Sequence, residues 1–186
     1  ALPAQRDSMA KHRFQRYHAN YLVSSTNSAF DMDAWDTCAG DLSDWSNADA
    51  VCFGLDLGGR NDLAAYAAVA RFPIAGKEDD EGKPLWNYEV RTWQCISQDT
   101  ERDLKEKPFC DYIEQGHLIP TKHPVSWCEA GIERDAYEHG SQEVACDPYN
   151  ASRTIEHLEG VGLNIVTFTQ GYSHFNEPIL DLMDVI

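Results

Sequence analysis

Two aspartates carry the chemistry that this sequence offers. Asp56 closes the run "VCFGLDL" and Asp147 closes the run "QEVACD". Each run is short, apolar and rich in residues that favour strands, and each acid is followed by strand breakers: Gly58-Gly59 in one case and Pro148 in the other. Strand periodicity puts Val51, Phe53, Leu55 and Leu57 on one face and Cys52, Gly54 and Asp56 on the other. In the second run Glu143, Ala145 and Asp147 share a face. The neighbours Gly54 and Ala145 are small, so both acids look over open ground. Ligand sites on such sheets lie beyond the carboxyl ends of the strands. If the two strands are parallel neighbours, their carboxylates meet. Bare, they repel each other. Mg²⁺ or Mn²⁺ relieves that conflict, because hard divalent cations take oxygen ligands from one or two carboxylates, water and substrate phosphate. Two such ions about 3.5–4 Å apart clamp a phosphodiester for attack by water. The bland alternative is that a strand-end Asp before Gly or Pro is a turn former. Asp62, at the start of the next run, reads either as a companion ligand or as a turn acid. Arg60 reads as a phosphate contact or a solvated side chain.

The elements that must position these acids follow from the pattern along the chain. Runs at 51–57, 62–72 and 85–97 are joined by short turns and read as an antiparallel meander. Helices are expected over 99–115, 127–139 and the stretch "NASRTIEHLEGVG", with a loop at "HLIPTKHPVS". Strands are expected at 142–147 and "LNIVTFT", and a last helix at "NEPILDLMDVI". A meander followed by alternating strands and helices is an α/β mixed sheet with helices on its faces. Residues 1–49 read as a linker with a short helix near 31–40, pinned to its neighbour by Phe30, Trp35 and Trp45. Its basic cluster at Lys11, Arg13 and Arg16 reads as a solvated face. Residues 50–186 read as the folded domain.

Bulk properties narrow the function. At 186 residues one domain is the default. A net charge of −16 excludes whole-surface attraction to nucleic acid or anionic lipid, although a cation can still bridge acids to a polyanion. The six cysteines form no CxxC pair, which excludes a zinc knuckle, and they read as reduced, with Cys52 and Cys146 in the core. No apolar run is long enough to span a membrane. Walker A, GxSxG and helical HxxxH patterns are absent.

In order along the chain, "FQRYHANYLVSSTNSAFDMDAWDTCAG", "GLDLGGRNDLAAYAAV" and "EVACDPYNASRTIEHLEGVGLNIVTFTQGYSHFNEPILDLMDVI" resemble the nuclease domain of the large terminase subunit of tailed bacteriophages. The resemblance covers roughly residues 12–72 and 142–186. It implies an RNase H-like fold with helices on both faces, and a two-metal endonuclease that cuts concatemeric double-stranded DNA during viral packaging. It also implies Asp56 and Asp147 as ligands of Mg²⁺ or Mn²⁺, with Asp62 a weaker companion. The partners it implies are the portal protein and the small terminase subunit, in the host cytoplasm, with no membrane. On this reading an ATPase half precedes residue 1 and a third acidic ligand lies beyond Ile186. Asp181 and Asp184 fall at the wrong place in the order. Gly58 and Gly59 are then expected to make room for the DNA backbone. Two other readings compete. "GLDLGGRND" resembles the first phosphate loop of actin-like sugar kinases, and the acidic surface suits a non-catalytic docking module of the packaging motor.

Overall fold

The computed structural model describes residues 32–58, 62–99 and 109–185. Leu42–Asn176 forms one compact unit, and the residues before Leu42 and after Asn176 form a second. The larger unit is built on a six-stranded mixed sheet. Its strands are β1 (Ala50–Leu57), β2 (Ala64–Glu78), β3 (Pro84–Ser97), β4 (Ile119–Thr121), β5 (Glu143–Cys146) and β6 (Asn164–Thr167), in the spatial order β4-β3-β2-β1-β5-β6. β1, β2 and β3 pair antiparallel; β5 lies parallel to β1, β6 to β5 and β4 to β3. This is the α/β sheet that the sequence predicts, meander first and parallel crossovers after.

Among the described residues the helices are α1 (Met32–Thr37), α2 (Phe109–Glu114), α3 (Pro124–His139), α4 (Ser152–Gly160) and α5 (Tyr172–Val185). α3 buries Cys128, Gly131, Ile132, Asp135 and Ala136, a spacing that makes one helical stripe. That stripe lies on the face of the sheet formed by Val51, Phe53, Leu55, Tyr66, Ala68 and Ala70, and α4 adds Leu158 to the same core. The Tyr66 ring stacks on Trp93, with centroids 4.7 Å apart. Gly131 lets α3 come this close, since a Cβ there would meet the Tyr66 hydroxyl at 2.5 Å. Helices lie on both sides of the sheet, as expected; among the described residues the other face is the more open one, and the start of α5 reaches its β5–β6 end, where Phe175 packs on Phe168.

Several expectations change. The charged turn is shorter and the hairpin longer, because Asp79 accepts the N–H groups of Glu81 and Lys83 and closes the turn over 79–83. The expected loop at "HLIPTKHPVS" contains β4, and α3 starts at Pro124, three residues earlier, with proline in its first turn. Of the helix expected over 99–115, Phe109–Glu114 is helical, and 100–108 lie outside the described residues. The last helix starts at Tyr172 rather than near 176. All six cysteines are free thiols, as expected, and Cys146 is buried. Cys52 is exposed, not core, because it shares the more open face with Asp56.

Of the three aromatics expected to pin the leading segment, Trp45 does so. It is 3% exposed, its Nε1 donates to Glu89, and the Arg91 guanidinium sits 4.0 Å over its ring. Trp35 is 48% exposed, and Phe30 lies outside the described residues, as do Lys11, Arg13, Arg16 and Arg60.

Candidate active site

The register builds the site. Gly54 pairs with Ala145 and Leu55 with Cys146, so the next position brings Asp56 beside Asp147, one strand spacing (about 4.8 Å) away. Both acids point to the more open face, because their neighbours Leu55 and Cys146 point into the core. Asp56 also pairs with Ala65, and Ala65 with Gln94. On the far side Cys146 pairs with Thr167, and the Phe168 N–H donates to the Cys146 carbonyl at 2.9 Å. One row therefore crosses the sheet as Gln94, Ala65, Asp56, Asp147 and Phe168. The row beneath it is Thr92, Ala67, Gly54 and Ala145. A cleft of about 410 Å³ lies over these two rows, walled by Phe168, Gln170 and Phe175. Gly54, Ala65, Ala67 and Ala145 supply small side chains to its floor, and a Cβ at Gly54 would meet nothing within 4 Å.

The electrostatics agree with the register. Burial pushes the Cys146 thiol up to about 11, and the negative charges of Asp147 and Asp56 push it in the same direction. Both carboxylates thus crowd one end of β5. Among the described residues no cation forms an ion pair with either. One oxygen of Asp147 accepts the Tyr149 N–H at 3.0 Å, which orients the side chain and leaves the other oxygen to a ligand. The turn role of Asp147 is therefore compatible with a second role for its other oxygen. An exposed carboxylate at Asp56 and a half-buried one at Asp147, with no cation paired to either among the described residues, suit Mg²⁺ or Mn²⁺. Among the described residues no group of three or more His, Cys, Asp or Glu side chains converges as a cation cage.

Asp62 does not line the cleft; it sits in the turn before β2, where its carboxylate accepts the Leu63 N–H at 2.8 Å. The space beside Gly58 is filled by the chain itself. A Cβ at 58 would collide with the Leu63 carbonyl and the Asp62 side chain, so close backbone packing explains this glycine. Asp181 and Asp184 lie on α5, exposed. Gln94, Thr92 and Phe168 were not anticipated from the sequence. The first two alternate on β3 with Trp93, and Phe168 follows β6 by one residue as Asp147 follows β5.

The fold is similar to that of a solved structure, the crystal structure of the HK97 bacteriophage large terminase. The match has a TM-score of 0.63 at 21% sequence identity and covers 99% of this chain. The chain has a terminase-like fold. It spans 38% of the length of the HK97 large terminase, and at this identity the likeness carries the fold. No protein-family model and no curated protein matches the chain. Among the described residues no helix of this terminase-like domain is long and apolar enough to cross a membrane.

Proposed function

We propose that this domain is the endonuclease of a viral DNA-packaging terminase, hydrolysing phosphodiesters of concatemeric double-stranded DNA. The observation that carries this reading is the placement of Asp56 and Asp147. They end neighbouring parallel strands, side by side, on the more open face of a terminase-like sheet. Asp56 and Asp147 would hold Mg²⁺ or Mn²⁺, two ions in the complete site, while Asp62, in the turn before β2, would serve the turn and not the ions. Bound there, the cations supply a nucleophilic water at neutral pH and charge stabilisation on the phosphate oxygens. The chain's own part is to hold two carboxylates at fixed spacing and to keep the ground before them clear of side chains. Gly54, Ala65, Ala67 and Ala145 do the latter, so that a phosphate can come to the carboxylates. The Tyr149 N–H fixes one Asp147 oxygen and so the direction of the other.

The partners would be double-stranded DNA, the portal protein and the small terminase subunit, in the cytoplasm of the infected host. An ATPase belongs to the same reading of the parent chain. The sugar-kinase alternative requires a glycine-lined phosphate cradle, and the Leu63 backbone packed against Gly58 speaks against it.

The test is thermal. Millimolar Mn²⁺ should raise the melting temperature of the chain by mass action, and Asp56→Asn should remove that response. Equal shifts in wild type and variant would refute metal binding at the pair and leave the docking-module reading.

A further inference from the structure

We infer that Phe168 is a stacking platform for the nucleoside next to the phosphate at the acid pair, so that the strand is bound locally unpaired. The inference rests on the nuclease reading of the same cleft. Phe168 is the position after the Cys146–Thr167 pair, and its N–H is anchored to the Cys146 carbonyl, so its backbone runs beside that of Asp147 on the same cleft. Phe175 packs edge-to-face on it, with centroids 5.0 Å apart, and holds the ring at the cleft wall. At the other end of the row, beyond the two acids and on β3, stand the amide of Gln94 and the hydroxyl of Thr92.

An aromatic ring at the wall of the cleft offers its face to a base and nothing to a phosphate. A base reaches a protein ring only with a face exposed, which requires single-stranded or extruded substrate. Because nearly every face-on base fits such a ring, the platform adds affinity without sequence preference.

Binding of a short single-stranded oligothymidylate, with Ca²⁺ in place of Mn²⁺ to hold it uncut, tests this. Phe168→Leu keeps apolar volume without a ring, and Phe168→Ala removes both. Each should weaken binding about tenfold, and Phe168→Tyr should restore it. A wholly abasic strand of the same length should bind wild type and Phe168→Leu alike, since no base remains to stack. Unchanged oligothymidylate affinity in Phe168→Leu would overturn the inference. So would an abasic strand that still distinguishes the variants, or a blunt duplex bound as tightly as the single strand. The Mn²⁺ melting shift and its loss in Asp56→Asn do not depend on Phe168. Failure of the platform therefore leaves the metal reading standing, and failure of the metal response is seen separately.

Discussion

The hydroxyl of Tyr66 on β2 donates to the carboxylate of Asp135 on α3 at 3.0 Å, inside the core. The Arg134 guanidinium pairs with the same carboxylate at 2.6 Å and reaches the Tyr66 oxygen at 3.3 Å. Asp135 is 6% exposed, so losing a donor leaves a buried charge short of partners. Tyr66→Phe should therefore cost about 1–3 kcal/mol. Gly131→Ala should destabilise as well, since its Cβ needs the space of a Tyr66 ring that Trp93 holds by stacking. Urea titrations of the two variants check both, and a wild-type midpoint in either would refute this account of the seam.

Alkaline stability depends on Cys146. The folded chain holds this thiol proton more tightly than the unfolded chain does, with the folded value pushed up to about 11. Between about pH 8.5 and about 11 the folded state thus binds more protons, and stability falls as pH rises, by on the order of 2 kcal/mol. Melting temperature followed across this window should fall more steeply in wild type than in Cys146→Ala. Part of the slope should survive in the variant, because Tyr66 is also pushed up, by burial and the Asp135 charge. Parallel profiles would show that Cys146 does not titrate as described.

Acid should release the leading segment. Burial pushes the Glu89 carboxyl up, but hydrogen bonds from the Ser43 hydroxyl, the Trp45 indole and the Ser43 N–H outweigh it and hold it below the usual carboxylate range. A depressed carboxylate stabilises at neutral pH, and that contribution is lost as pH falls through its folded value. Trp45 emission should shift to the red below about pH 4. In Glu89→Gln the shift should lose its pH dependence; an unaltered acid profile would refute the role of Glu89.

The acid pair should behave as a stability defect without metal. Asp56→Asn and Asp147→Asn each remove one of two adjacent like charges, so each should raise the melting temperature in chelator, an effect that shrinks in high salt. With only two carboxylates converging among the described residues, Mn²⁺ affinity should be weak, in the millimolar range, and any nicking of plasmid DNA slow and Mn²⁺-preferring. Either substitution should abolish that nicking. Nicking that survives both would place the chemistry elsewhere.

The facing of the two aspartates was legible where side-chain alternation decides it. Leu55 and Cys146 had to face a core, so Asp56 and Asp147 had to face away from it, and small neighbours marked the ground as clear. The same alternation placed Cys52 with Asp56; assigning it to the core weighed its residue type above its phase. β4 was not legible, because three residues with a central proline carry no period, and only the end of β3 gives them a partner. Gly58 looked like room for a ligand because sequence cannot show that Leu63 returns over it. Phe168 escaped notice for a related reason: its importance lies in a register between strands, which one chain read in order does not display. The shared fold with the HK97 large terminase, in contrast, was carried by the order of short acidic and apolar pieces.

The ladder between β1 and β5 is three residue pairs long, and pleated strands alternate strictly between faces. A slip of one residue would carry Asp147 into the core and bring Cys146 out to the cleft. No halfway arrangement exists. Mutations that loosen β5 should therefore divide the molecules into two populations, one intact and one inert. Titration of such a variant would give fewer sites per chain, each with unaltered affinity.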